Sequence, residues 1–168
     1  IEVDVHTINQ ADAMQTITSL NTDASVHGII VQIPLPDPSQ TQDILNSVVA
    51  AKDVDGLADV TVFDAPTPVA VNWLLAGYNI DFRGKHMVIV GHGRLVGQPL
   101  ARIWQQSGND VEVADKRTEN LAEVVQRADI LVCATGVPGI VTADMVKPDA
   151  VIVDAGVATD SNGLVGDV

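Results

Sequence analysis

Residues 85–101 read KHMVIVGHGRLVGQPLA, an apolar run that meets three spaced glycines, Gly91, Gly93 and Gly97. Glycine suits a tight turn, and it lets a ligand come close to the main chain. A strand that feeds a helix through such a turn aims backbone N–H groups and the positive end of the helix at one point. That point suits a phosphate or pyrophosphate. The spacing is G-x-G-x-x-x-G, one residue longer than the common dinucleotide fingerprint. His92 and Arg94 add positive character beside the turn. The chemistry implied is nucleotide binding; a plain strand–helix turn is the bland alternative.

The end of the following strand should read the ribose, and here it carries Ala114, Asp115, Lys116, Arg117 and Thr118. An acidic residue at that place favours a free 2′-hydroxyl and hence NAD, whereas basic residues favour a 2′-phosphate and hence NADP. Asp115 points one way and the Lys116–Arg117 pair the other; the balance is read as NADP, with NAD as the alternative. Two further loops follow strand ends, where open α/β sheets bind ligands. The loop ATGVPG, residues 134–139, offers small residues, Ala134 and Gly136 among them, against which a nicotinamide or ribose can lie. The loop DAGVAT, residues 154–159, is similar.

The elements that must position these residues show in the hydrophobic pattern. The opening IEVDVH alternates as a half-buried strand does, and Met14, Ile17 and Leu20 follow at helical spacing. HGIIVQIPLP is an apolar run halted by Pro34 and Pro36, read as a buried strand ending at Gln32 or Ile33. Ile44, Leu45, Val48 and Val49 mark one face of a second helix. KDVDGLADVTVFDAP then reads as a connector. Thr67 is expected to cap a helix with Pro68 in its first turn and an apolar face of Val69, Ala70, Trp73 and Leu74. A second α/β series follows: strand HMVIV, the Gly-rich turn, a helix from 95 to about 106, strand DVEVA and a helix from about 119 to 127. Strand DILVCA, a short helix near 142–146, strand AVIVDAG and a tight-turn signal, SNGL, complete it. Strands alternating with helices imply parallel pairing and right-handed crossovers. The fold class expected is α/β: a Rossmann-like nucleotide-binding domain with a parallel sheet over 67–168, preceded by part of a second α/β domain over 1–66.

Composition narrows the function classes. Of 168 residues, 46% are hydrophobic but only 3% aromatic, so the core must be built from Val, Ile, Leu and Ala. The net charge is −13, with 18 Asp against 4 Glu, which repels nucleic acid and anionic membrane surfaces. No stretch reaches the roughly 18 apolar residues that a membrane-spanning helix needs. Cys133, the single cysteine, lies in an apolar run and reads as a buried structural thiol, in keeping with a reducing cytoplasm. His6, His27 and His86 read as surface or strand-end histidines, and no metal site is expected.

Eight collinear segments carry a resemblance: GIIVQIPLP (28–36), KDVDG (52–56), TP (67–68), GHGRLVGQPLA (91–101), TENL (118–121), ADILVCATGVPG (128–139), VKPDAVIVDAGV (146–157) and GLVGDV (163–168). Together they resemble the bifunctional methylenetetrahydrofolate dehydrogenase/cyclohydrolase family, and VQIPLP followed by KDVDG is the most specific pair. The resemblance implies a folate-binding first domain and an NAD(P)-binding second domain. It implies oxidation of 5,10-methylenetetrahydrofolate to the methenyl form with hydride transfer to NAD(P), then hydrolysis to 10-formyltetrahydrofolate. A cytoplasmic homodimer serving one-carbon metabolism and purine biosynthesis goes with it. Carried over residue by residue, Gln32 falls beside the family's catalytic lysine, where a neutral amide can hydrogen-bond the amine. Asp55 falls on the carboxylate that anchors the pterin, whose adjacent N–H donors suit a charge-assisted pair. Val31 and Ile33 flank the folate. Thr67, Gly91, His92, Gly93, Arg94, Lys116, Ala134, Gly136 and Val157 fall on the cofactor side, Lys116 near the 2′-phosphate and Val157 near the nicotinamide.

The chain also departs from the family pattern. Its only tyrosine, Tyr78, has no lysine four residues on, so the Tyr-x-x-x-Lys motif is absent, as is a PGGVGPMT-type segment. Both are expected to belong to ends that this sequence lacks. Pro66 stands where a cysteine is usual, and His92 and Gly93 stand where Arg and Ser are usual. The stretch between Asp55 and Thr67 is short. The competing readings are another NAD(P)-dependent dehydrogenase, of shikimate or amino-acid type, and a catalytically dead nucleotide-binding module.

Overall fold

The computed structural model describes residues 1–161 and 163–168, and the chain divides into two compact units, Ile1–Pro66 and Thr67–Val168.

The first unit is held by helices. Helix α1 (Ala13–Thr22) buries Ala13 and Ile17, and the short α2 (Thr41–Asn46) buries Ile44 and Leu45. Ala13, Ile17 and Ile44 pack with Ile29 and Val48 into one small cluster, flanked by Leu20, Val26, Val31 and Leu35. Lys52 fastens the α1 end by donating from Nζ to the carbonyls of Leu20 (2.9 Å), in the last turn, and Asp23 (2.7 Å), which also accepts from the Val26 N–H. The two segments read as strands do not form a sheet. Residues 1–6 are exposed and pair with no strand among the described residues, so their alternation finds no ladder to sit in. In 28–36 the pairing shrinks to one parallel bridge, Ile29 to Asp53, and the peptide before Pro34 is cis.

The second unit is a layered α/β fold. Strands β1 (His86–Val90), β2 (Asp110–Ala114), β3 (Ile130–Cys133) and β4 (Val151–Asp154) form one parallel sheet in the order β2-β1-β3-β4. The two-residue side-chain period sorts the sheet into two faces. Met87, Ile89, Ile130 and Val132 meet Val71 and Leu75 of α3 (Pro66–Gly77) and Leu100, Ala101 and Trp104 of α4 (Gly97–Gln106). Val88, Val90, Leu131 and Cys133 meet Val124 and Val125 of α5 (Leu121–Arg127). Both faces are covered, which is why the strand sequences are apolar throughout rather than alternating. Trp104 anchors the first face, with Nε1 donating to Asn72 Oδ1 at 2.6 Å and an edge-on contact to Phe82.

Several expected boundaries shift. Helix α3 starts at Pro66, so Thr67 lies inside its first turn rather than capping it, and the buried stripe is Pro68, Val71 and Leu75. The expected face is the exposed one: Trp73 is 77% and Leu74 49% exposed. Helix α4 starts at Gly97, not 95, because the turn needs residues 91–96. Helix α5 starts after Asn120, whose side chain accepts from the Glu123 N–H. The helix expected near 142–146 is a single 3₁₀ turn, Ala143–Met145. Finally β5 (Ala158–Asp160) and β6 (Gly163–Val165) pair antiparallel; the SNGL turn signal includes residue 162, which lies outside the described residues.

Candidate functional site

The strand order places a switch point between β1 and β3. From β1 the chain crosses through α4 to β2 on one side, then through α5 to β3 on the other. In open α/β sheets the crevice at the carboxyl ends of such a strand pair receives ligands. Here those ends carry Gly91 and Ala134.

The three glycines of the turn have distinct physical roles. Gly91 has φ +104°, and a Cβ there would overlap the Ala134 carbonyl. Its N–H donates to the Ala114 carbonyl at 2.8 Å, while the Ala134 N–H donates to Val90. Gly97 packs the start of α4 so closely that a Cβ would collide with the Gly91 carbonyl. Gly93 is different: a Cβ there would meet nothing within 4 Å. Its lack of a side chain is not needed by the fold, but it leaves open main chain beside the crevice. Val96, which precedes α4, offers no side-chain acceptor to the helix start. Of the first-turn N–H groups, that of Gln98 donates to the Gly93 carbonyl (3.0 Å) and that of Leu100 to the Val96 carbonyl (2.9 Å), and Pro99 has none, so what the turn offers an anion is the open main chain around Gly93 and the positive end of the helix. This cradle fits a pyrophosphate.

At the end of β2, Asp115 is claimed by its neighbour. Arg117 grips its carboxylate with Nη2 at 2.7 Å and Nε at 3.1 Å, and the Arg117 N–H adds 2.9 Å. The Arg117 side chain foremost, then that N–H, hold the Asp115 carboxyl below its ordinary range, with the His92 charge adding in the same direction. Lys116 is exposed and has no hydrogen bond or ion pair with the described residues. The acid that would select a free 2′-hydroxyl is thus engaged, and a cation stands beside it.

The loops after β3 and β4 lie against each other. Gly136 has φ +69°, and a Cβ there would stand 3.4 Å from the Val157 carbonyl. Ala134, Gly136 and Val157 therefore share one end of the sheet with Gly91. Val157 is 68% exposed. His92 and Gly93 are exposed and Arg94 half-buried beside them. Thr67 is exposed in the first turn of α3 and hydrogen-bonds none of these residues.

In the first unit, the Ile29–Asp53 bridge lays the beginning of GIIVQIPLP along KDVDG. The Ile29 N–H donates to the Lys52 carbonyl at 2.7 Å, and a Cβ at Gly28 would press on the Val54 side chain. Val31 and Ile33 are half-buried, and Gln32 between them is exposed, its amide donating to the Ile33 carbonyl at 3.0 Å. Asp53 is buried and closes the turn by accepting from the N–H groups of Leu57 (3.3 Å) and Ala58 (3.0 Å). Asp55 is half-buried and makes no hydrogen bond or ion pair with the described residues. Burial, and then the nearby Asp53 charge, push its carboxyl above the ordinary range. An acceptor held this way stands ready for a ligand that brings N–H donors.

Cys133 is fully buried, and burial, then the charges of Asp154 and Asp167, push its thiol up to about 12, so it is no nucleophile at neutral pH. A concavity of about 540 Å³ lined by Phe82, Lys85, His86, Asn109 and Asp129 lies at the amino ends of the strands, opposite the glycine turn, and no helix start opens into it. Sequence reasoning missed one group at the crevice end, Asp154 and Asp167. The only signal was a glycine near each of them, Gly156 and Gly166.

Comparison with known proteins agrees with this geometry. The family model described as the tetrahydrofolate dehydrogenase/cyclohydrolase NAD(P)-binding domain matches residues 65–168. The catalytic-domain model of the same family matches residues 2–55, a match that separates the chain from other nicotinamide dehydrogenases. The bifunctional protein FolD of Nitrosospira multiformis is 41% identical, over 95% of this chain and 59% of that protein. That of Oceanobacillus iheyensis is 39% identical, over 96% and 60%. Among solved structures, the bifunctional FolD methylenetetrahydrofolate dehydrogenase/cyclohydrolase of Campylobacter jejuni superposes with TM-score 0.90 at 38% identity, over 96% of this chain and 61% of that one. The Trypanosoma brucei methylenetetrahydrofolate dehydrogenase-cyclohydrolase, complexed with NADP cofactor and inhibitor, gives 0.86 at 29% identity, over 96% and 61%. The chain spans about three-fifths of the length of these relatives. With both of its units matched in order, the chain belongs to the tetrahydrofolate dehydrogenase/cyclohydrolase family.

Proposed function

We propose that the protein oxidises 5,10-methylenetetrahydrofolate to the methenyl form with NADP and hydrolyses the product to 10-formyltetrahydrofolate. The observation that carries this reading is the crevice at the switch point, where Gly91 closes on Ala134 and Gly93 leaves main chain open, in a chain of this family. When bound, the nicotinamide accepts a hydride from the folate methylene bridge. The residues of the chain bind and orient. Main-chain groups of Gly91, His92 and Gly93 and the start of α4 receive the pyrophosphate, with Arg94 beside them. Lys116 meets the 2′-phosphate, because Arg117 engages Asp115, the acid that would favour NAD. Ala134, Gly136 and Val157 flank the nicotinamide side, and Thr67 belongs to the cofactor-side set. Asp55 accepts the paired N–H donors of the pterin; a donor pair restores the ionised form that burial and Asp53 disfavour. Val31 and Ile33 flank the folate, and Gln32 offers a neutral amide that orients an amine without altering its charge.

The same reading makes the protein a cytoplasmic homodimer that feeds purine biosynthesis. The support is the family's usual assembly and a lone, buried cysteine that needs no oxidising compartment. No helix among the described residues is long and apolar enough to cross a membrane. The test is an assay of the protein at its full natural length with 5,10-methylenetetrahydrofolate and NADP, then NAD, following reduced nicotinamide and methenyl absorbance together. Reduction faster with NADP, with little methenyl product accumulating, is the expected result. Tight binding of both ligands with no reduction would make the protein a binding module.

A further inference from the structure

The carboxyl ends of β3 and β4 carry a polar arrangement that none of the roles above uses, built from two aspartates and two glycines. Asp167 is fully buried. Its Oδ2 accepts from the Thr135 N–H at 2.6 Å and from Thr135 Oγ1 at 2.9 Å. Its carbonyl accepts from the Val141 N–H at 3.2 Å, so one residue grips both ends of the loop that follows β3. Its Oδ1 is buried without a hydrogen-bond partner and occupies the space that a side chain at Gly156 would need. Asp154 reciprocates. It accepts from the N–H groups of Gly156 (3.0 Å) and Val168 (3.1 Å), and its carboxylate occupies the space of a side chain at Gly166. Each aspartate is seated on the glycine beside the other.

A buried carboxylate with an unmatched oxygen is an expensive way to hold a loop, and an apolar plug would serve stability better. What this arrangement does instead is set positions. Thr135 lies between Ala134 and Gly136, and Gly156 precedes Val157. The clasp therefore fixes both loops whose backbones approach at Gly136 and Val157. None of its hydrogen bonds goes to the Gly91–Gly97 turn, which it meets through the Thr135 methyl beside Gly91. We propose that Asp167 is a positioning residue for the nicotinamide half of the dinucleotide site, holding the loops 134–139 and 154–159 in register while the glycine turn binds the adenosine-phosphate half independently. This rests on the dinucleotide reading above.

The test separates the two halves. The 168-residue chain is titrated with NADPH, which spans both, and with 2′,5′-ADP, which reaches only the glycine turn and the β2 end. Asp167→Asn keeps the shape but removes the charged acceptor; Thr135→Val removes the hydroxyl and keeps the backbone N–H. Both are expected to raise the Kd for NADPH about tenfold, the loss of roughly one charge-assisted hydrogen bond. The Kd for 2′,5′-ADP should stay within about twofold. Thr135→Ser, which restores the hydroxyl, should bind NADPH as the wild type does. If Asp167→Asn does not fold, Thr135→Val and Thr135→Ser give the same two readouts. Parallel weakening of both ligands would make Asp167 a general prop and overturn the proposal, as would unchanged NADPH affinity. A wild-type chain that binds neither ligand would instead overturn the dinucleotide reading, and this proposal with it.

Discussion

Gly93 and Gly97 stand four residues apart in one turn, yet alanine should do opposite things at the two places. At Gly97 the new methyl would collide with the Gly91 carbonyl. That carbonyl cannot move away cheaply, because Gly91 sits at φ +104° with Ala134 pressed against its other side. Overpacking against fixed backbone costs about 3 kcal/mol or more. For a unit of this size such a loss lowers Tm by roughly 10–20 °C. At Gly93 the methyl enters open space and the backbone is not in the left-handed region, so stability should change by no more than about 0.5 kcal/mol. The same methyl stands where a pyrophosphate must approach, and NADPH affinity should fall about thirtyfold or more, roughly 2 kcal/mol. Thermal melts and NADPH fluorescence titrations of Gly93→Ala and Gly97→Ala read both quantities. If Gly93→Ala melts early, or binds NADPH as tightly as wild type, the assignment of that glycine to the ligand rather than to the fold is wrong.

Other consequences follow from charge and burial. Asp55 has a folded-state carboxyl pKa raised above its unfolded value, so its ionised form costs stability at neutral pH. Asp55→Asn should raise Tm at pH 7, lose the gain as pH falls through the raised folded-state value towards roughly 3.9, and weaken folate binding. His86 lies between Asp110 (2.7 Å) and Glu112 (3.1 Å), while its N–H donates to Asp129, which also pairs with Lys147; Arg127 pairs with Glu112. The hydrogen bond to Asp110 is the main cause of its raised pKa. Its contribution is therefore whole below about pH 6.5 and is lost as pH rises through the folded-state value. The Tm gap between wild type and His86→Gln should shrink over that rise; a gap constant with pH refutes the linkage. Cys133, buried and raised to about 12, should resist thiol reagents in the native chain and react only on unfolding; rapid labelling of folded protein would contradict its placement.

The second unit was legible in the sequence because its signals are local. The run HMVIV, the glycine spacing and the amphipathic stretch to Gln106 each predict their own element, and the parallel sheet follows from their alternation. Helix α3 misled because it is apolar nearly all round: Val69, Ala70, Val71, Trp73, Leu74, Leu75 and Ala76 define no single stripe, so the pattern did not say which face to bury. The segments 1–6 and 28–36 carry strand patterns, but a strand exists only with a partner, and here one bridge is all that forms. At the site, Gly91, Gly93 and Gly97 were legible from spacing, whereas the engagement of Asp115 by Arg117 needed geometry. Asp167 was not legible at all, because its partner Thr135 lies 32 residues away and nothing in either neighbourhood announces the pairing.

The most direct measurement is a backbone NMR titration of the isotope-labelled chain with NADPH. Shifts concentrated at Gly91, His92, Gly93, Lys116, Gly136 and Val157 would place the dinucleotide at the carboxyl ends of the strands, as this structure predicts. Shifts concentrated instead around Phe82, Lys85, Asn109 and Asp129, at the opposite end of the sheet, would contradict it.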